Sequence, residues 1–437
     1  MRTNDTTLVT IPRSQHSANH NHMSLDNWLK SLPDTIDRQQ PAKVDNKENG
    51  KEMVVDEIED FEEESGCIES QGSVTKIRPL PPGVPISLEL ARDLKMVMFG
   101  NTSTMFPAGW LGQAWVWNDN PQLSYGLVQH KGGPCGVMAA VQAMVIKVLL
   151  YGSDMFHVKP VDSGHMVTGL SDTQRNTALV AAMAEVMVRL GSGPYIVTVA
   201  GMRKHFSSAG KMRADGITET LNLYTLQSPD KLFEFLSDSL GFLTGRGNNS
   251  VICFLYSCLL TRGLNHIRSD MDSPDTQLMA AHGYCSQEMV NMITTGLATS
   301  NVFDNDIELG SGQDVTLLKG VKHRSDIGLL SLFEHYKSCA VGSHLKCPVY
   351  DIWLVCSESH FTVLWRTDSG DSKTELHSHV LELSYYDGLS GQDAPIHLTL
   401  DTDADTGDTE VVSTIEMCIR TKWTAASVSW NGAEKIL

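Results

Sequence analysis

In QHKGGPCGVMAAVQAMVIKVLL, residues 129–150, a cysteine follows two glycines and a proline and immediately precedes a long apolar run. The run reads as a buried helix that begins at Cys135. The first turn of a helix carries unsatisfied N–H groups and the positive end of the macrodipole, which together stabilise negative charge on a sulfur. Cys135 is therefore a candidate thiolate nucleophile. Pro134 suits the entry into a helix, and Gly132 and Gly133 clear side chains from the path of an approaching substrate backbone. Gln129, six residues upstream, can turn its amide back beside the thiol. There it and the Cys135 N–H would face a developing oxyanion.

A thiol that cleaves an acyl bond also needs a base. His360 opens a strand in SESHFTVLW, where an imidazole is held rigidly at a sheet end. If strands 360–366 and 381–387 pair antiparallel, Asp387 comes beside His360 and can accept from its ring nitrogen. Each residue also has a plainer explanation. Cysteine is among the most buried residue types, His360 can be a satisfied core histidine, and Asp387-Gly388 is a common turn dipeptide. Cys285, in HGYCSQEMVNMITTG, also precedes a helix. It lacks a glycine pair and has Met279 six residues upstream, so it is the weaker candidate nucleophile.

Other chemistries find no footing. There is no Gly-x-Ser-x-Gly, no His-Glu-x-x-His and no dinucleotide glycine fingerprint, and SSAGKM lacks the first glycine of a phosphate loop. The nine cysteines include no Cys-x-x-Cys, and the start MRTNDTTLVTIPRSQHS has no apolar leader segment. These features point to a reduced compartment, cytoplasm or nucleus, with no metal or cofactor. The longest apolar stretch is interrupted by Gln142 and Lys147, which argues against a membrane span. The net charge is −18, of which −6 falls in residues 1–80. So acidic a surface disfavours nucleic acid and favours a basic protein partner.

The elements that must position these residues follow from patterning. Residues 1–84 read as a disordered acidic tail, and its VVDEIEDFEEES stretch as solvated acid. PLPPGVP marks the boundary of a domain covering 85–437. Helices are expected in ISLELARDLKMVMFG, capped by Ser87 and stopped by Gly100, at 135–151, and at 172–190 between Ser171 and Gly191. Further helices are expected in DKLFEFLSDSL after Ser228-Pro229, in SQEMVNMITTG and in SDIGLLSLFEHYK, while SVICFLYSCLLTRG is buried but of ambiguous type. The pattern then changes. PVYDIWLVCSES and HFTVLWRT read as strands joined tightly around Ser357–Ser359, VLELSYYDG as a third, with TIEMCIRTKW and ASVSW following in the same series. Helices first and strands later give an α+β domain.

YGLVQHKGGPCGVMAAVQA, GYCSQEMVNMITTGLATSNVFDNDIEL, SDIGLLSLFEHY, WLVCSESHFTVLW, YYDGLSGQ and CIRTKW followed by ASVSWNG occur in one order across residues 85–437. Together they resemble the MINDY family of deubiquitinases, and within it the MINDY-4-like branch with its Gly-Gly-Pro-Cys-Gly signature. The resemblance implies a papain-like fold, with a central buried helix bearing the cysteine and a C-terminal antiparallel sheet bearing the histidine. It implies a cofactor-free cysteine isopeptidase, expected as a monomer, acting on polyubiquitin of the type that signals proteasomal degradation. Carried over to matching positions, Cys135 is the nucleophile, His360 the base and Gln129 the oxyanion residue. Asp387 is not assigned by the resemblance and rests on the strand argument alone. Two alternatives stand beside this reading: a silent ubiquitin-chain-binding pseudoenzyme, and a thiol enzyme acting on small acyl groups.

Overall fold

From Cys135 to Leu149 no face of the chain is consistently polar, and such a helix has to lie inside the protein. The computed structural model describes residues 80–161, 167–207, 210–310, 315–367, 379–403 and 412–435. By its internal contacts the chain divides into Met1–Lys76 and Ile77–Leu437, and every described residue belongs to the second unit. The expected disorder of the acidic tail and its VVDEIEDFEEES stretch fall outside the described residues.

Helix α1 spans Leu88–Phe99, with the Ser87 hydroxyl accepting from Leu90 N at 3.2 Å and Gly100 closing it at φ +71°. Helix α2, Cys135–Tyr151, is buried from Cys135 to Leu149. Helix α3, Asp172–Leu190, opens with a reciprocal cap between Ser171 and Gln174. The ambiguous SVICFLYSCLLTRG is helix α4, Ser250–Arg262, and Gln287–Thr295 is α5. No helix among the described residues is long and apolar enough to cross a membrane.

A three-stranded antiparallel sheet lies in the N-terminal half, and the sequence reading places no strand at 195–200 or 221–226. It is built from β1 (Val84–Pro85), β2 (Tyr195–Ala200) and β3 (Leu221–Leu226) in the order β1-β3-β2. The larger sheet has six strands: β4 (Gly328–Ser331), β5 (Ile352–Ser357), β6 (His360–Arg366), β7 (Val380–Tyr386), β8 (Ile396–Asp401) and β9 (Ser427–Ser429). They run in the order β9-β8-β7-β6-β5-β4, antiparallel except for the parallel β4–β5 pair. The α+β class holds, and the C-terminal sheet is mixed rather than purely antiparallel.

Two segments differ from the sequence reading. SDIGLLSLFEHYK is helical only at Leu332–His335, and Gly328–Ser331 is strand β4, buried along its length. A short apolar run buried on both faces shows no strand alternation, so its period is indistinguishable from that of a helix. TIEMCIRTKW is not a strand: Thr414–Arg420 forms helix α6, with Ser413 Oγ accepting from Glu416 N at 3.3 Å. The Ser-x-x-Glu spacing that starts it is a helix-start signal.

The six-stranded sheet is covered on both faces, and the strand period sorts its residues. Ile352, Leu354 and Cys356 of β5 join the core that contains α2, whereas Trp353 and Val355 join a second core with Ile415, Cys418 and Ile419 of α6. Helix α2 packs against β5 and β6, which brings its first residue to the end of the sheet where β6 begins.

The two polar residues that interrupt α2 are satisfied internally. Lys147 Nζ reaches both oxygens of Glu185 at 3.0 Å. Gln142 holds the strand segment leading to Gln129: its Oε1 accepts from Leu127 N at 2.6 Å and its Nε2 donates to Tyr125 O at 2.9 Å. Gln142→Leu keeps the volume but orphans a buried N–H and a buried C=O, each costing roughly 1–3 kcal/mol. The variant is expected to unfold at clearly lower urea concentration with an unchanged denaturant slope; an unmoved midpoint would refute this role.

Candidate active site

Helix α2 starts without a side-chain cap, because Pro134 occupies the cap position. Cys135 is its first residue and is 3% exposed. Its thiol faces the β5–β6 hairpin, where Sγ–H donates to Ser359 O at 3.5 Å. That hairpin is tight. Ser357 pairs with His360, and Glu358 takes φ +56°, a left-handed conformation that turns the chain in two residues.

His360 is thereby fixed as the first residue of β6. Its Nε2 donates to Asp387 Oδ1 at 2.8 Å. The pairing of Val363 with Tyr386 explains the contact. Continuing the register sets Asp387 opposite Thr362, so it is the diagonal neighbour of His360 on one face, within side-chain reach. The same Asp387 Oδ1 accepts from Leu389 N at 2.8 Å and Ser390 N at 3.3 Å. The turn role and the orienting role are thus one arrangement: the main-chain N–H groups that form the turn also hold the buried carboxylate toward the imidazole.

Burial alone would lower the pKa of His360. The hydrogen bond to Asp387 and then the contact with the Cys135 thiol outweigh it and raise the pKa from 6.5 to about 10. His360 Nε2 is thus committed to Asp387, and the Cys135 thiol adds to the pull on the imidazole's proton.

Gln129 is buried and lines, with Cys135, Gly388 and Gln142, a small cavity of about 20 Å³, roughly the room of one water. Its backbone N donates to Gly388 O at 2.9 Å, while its Nε2 donates to Lys131 O at 2.7 Å. Gln129 and Cys135 thus share one cavity, and the amide donates into its own loop. The two glycines part company. A side chain on Gly132 would meet nothing within 4 Å, so that side is open, as an approach path requires. Gly133 instead sits at φ +129° with Trp110 2.9 Å from where a Cβ would be. Its missing side chain serves packing, which corrects the expectation that both glycines clear the substrate's path.

Cys285 is buried behind the start of α2, and burial pushes its thiol far above the ordinary range. It is a poor nucleophile by that measure. The sequence reading assigns no site role to several residues around the site. Ser359, Gly388 and Trp110 act through main-chain atoms or long-range packing and leave no local pattern. Gln142 had a signal, an amide in the middle of an apolar helix.

A thiol on a helix, an imidazole at a strand end and a carboxylate behind it are the parts with which a thiol-dependent hydrolase works. Residues 95–432 match the family model described as "Deubiquitinating enzyme MINDY-3/4, conserved domain", and the chain belongs to that family. It is 41% identical over 412 residues to "Probable ubiquitin carboxyl-terminal hydrolase MINDY-4" of Bos taurus, covering 92% of this chain and 52% of that protein. The protein of the same name from Mus musculus is 44% identical over 362 residues, covering 81% and 47%. "Ubiquitin carboxyl-terminal hydrolase MINDY-3" of Homo sapiens is 29% identical over 304 residues, covering 64% and 66%. The chain spans about half the length of the MINDY-4 relatives it matches. No solved structure matches it.

Proposed function

We propose that the chain is a cysteine isopeptidase of papain-like design that removes ubiquitin from polyubiquitin, with chains of the degradation type as preferred substrate. The observation that carries this reading is the 2.8 Å bond from His360 Nε2 to Asp387 Oδ1, beside a Cys135 thiol that donates to Ser359 O in the turn leading into His360. Cys135 Sγ, its proton held by His360, attacks the carbonyl carbon of the isopeptide bond. The carbonyl oxygen becomes an oxyanion that faces the Cys135 N–H and the Gln129 amide once that amide turns from Lys131. His360 gives its proton to the lysine Nε, the C–N bond breaks and a thioester remains. Water, deprotonated by His360, then releases ubiquitin's carboxylate and the thiol. Every proton-transfer group is supplied by the chain.

The relatives' printed name, ubiquitin carboxyl-terminal hydrolase, agrees with this substrate. So does the side-chain-free edge at Gly132, because a narrow, extended peptide end fits it best. The net charge of −18 favours a basic partner face over nucleic acid. One observation favours a silent, chain-binding protein instead: the Gln129 amide donates to Lys131 O rather than into the site. A ubiquitin derivative carrying a C-terminal electrophile separates the two readings. The active reading expects one stoichiometric adduct, mapped to Cys135. Binding of ubiquitin chains without any adduct would establish the silent one.

A further inference from the structure

The weaker of the two candidate cysteines lies against the stronger. The Cys285 thiol donates to Gly133 O at 3.4 Å. The first turn of α2 lies against the same sulfur, which would be 3.1 Å from a Cβ on Gly136. The fit is close: a Cβ on Gly136 would lie 2.9 Å from Cys285 Cβ. The segment carrying Cys285 is itself anchored from the far side. Trp110 Nε1 donates to Gly283 O at 2.8 Å, and the backbone at Gly283 approaches Pro107 so closely that a Cβ there would lie 2.3 Å from its ring.

We propose that Cys285 is a positioning residue for Cys135, its thiol clamping the turn that carries Gly132 and Gly133 to the first turn of α2. The proposal rests on Cys135 being the nucleophile. The chemistry explains why a thiol stands there. Pro134 gives α2 no side-chain cap, so the first-turn donors need an acceptor from elsewhere. A carboxylate would satisfy them but would set a negative charge beside the sulfur that has to become an anion. A neutral thiol can face those donors, gives its own proton to Gly133 O and adds no charge. Burial keeps that thiol protonated. Gly133, at φ +129°, holds a conformation open to few residues, and its carbonyl is fixed by this contact.

The test uses the full chain with Cys285→Ala and Cys285→Ser. Two quantities are measured: alkylation of Cys135 by iodoacetamide at neutral pH, followed at that peptide by mass spectrometry, and kcat and KM for di-ubiquitin cleavage. A shift of an ångström at a reacting atom costs on the order of ten- to a hundredfold in rate. Cys285→Ala is expected to slow alkylation about tenfold and to lower kcat at least as much, with KM unchanged within about twofold. Cys285→Ser, which keeps a donor and an acceptor, is expected to recover most of both. The proposal is overturned if alanine leaves alkylation at the parent rate. It is equally overturned if alanine and serine lose alkylation to the same extent, in step with loss of folded protein by circular dichroism. A parent chain that fails to cleave ubiquitin removes the isopeptidase reading, and the alkylation ratios then still decide the positioning role.

Discussion

Cys135→Ala is expected to lower the rate of ubiquitin-chain cleavage by about 10⁵- to 10⁶-fold, with affinity for the chains unchanged within about threefold. The size follows from the mechanism: no other group on the described chain replaces the sulfur. Cys285 lies behind the helix, buried and held protonated. Cys356 is also fully buried, with its thiol pushed well above the ordinary range. Removing Sγ therefore removes the covalent pathway and leaves only the binding surface and oxyanion donors, which alone give a small residual rate. Binding is spared because Cys135 is 3% exposed and contributes almost nothing to an interface. The loss is not one of folding. Sγ makes one weak hydrogen bond, to Ser359 O at 3.5 Å, and alanine is a good first-turn residue. Defined chains incubated with parent and variant, with binding measured in parallel, check both halves. Cleavage by the variant within tenfold of the parent would place the nucleophile elsewhere.

The parts of the site carried by one strong local signal were legible in the sequence. An apolar run too long and too uniform to lie on a surface starts at Cys135, and α2 begins at that residue. The hairpin around Ser357–Ser359 and the strand ending before Asp387 were readable from alternation and turn residues. Their antiparallel pairing then follows from short connection and register, and it brings His360 and Asp387 to 2.8 Å. Features set by burial on two sides were not legible. Strand β4 has no alternation because both its faces are covered, and GLLSLF reads equally well as a helix turn. The β2–β3 pair was missed for a different reason. Its strands are separated by a 20-residue connection, 201–220, so no turn dipeptide announces a hairpin. Cys285 shows the limit for the site itself. Its local pattern, a cysteine before a helix, imitates that of Cys135, and its clamping contacts are to Gly133 and Gly136, about 150 positions away.

Asp387→Asn is expected to reduce turnover at neutral pH by about 10²- to 10⁴-fold and to move the alkaline limb of the rate profile to lower pH. The carboxylate is what overcomes burial at His360. Burial lowers the imidazole's pKa, and the Asp387 bond and charge, with the thiol's help, lift it to about 10. The asparagine side chain keeps an oxygen acceptor but loses the charge that favours the imidazolium. A base that loses its proton earlier cannot deliver it to the departing lysine amine, and the rate declines from a lower pH. Stability carries the same sign. Because the folded pKa lies above the ordinary 6.5, the interaction contributes fully below about 6.5 and is lost as pH rises through about 10. The parent should therefore show a melting temperature that declines across that interval, and the variant a flatter profile that starts lower. The turn itself should weaken less, because the asparagine Oδ1 can still accept from Leu389 N and Ser390 N, now at 2.8 and 3.3 Å from Asp387 Oδ1. If instead the variant keeps the parent's alkaline limb and neutral-pH rate, Asp387 is a turn residue alone and His360 is oriented by other means.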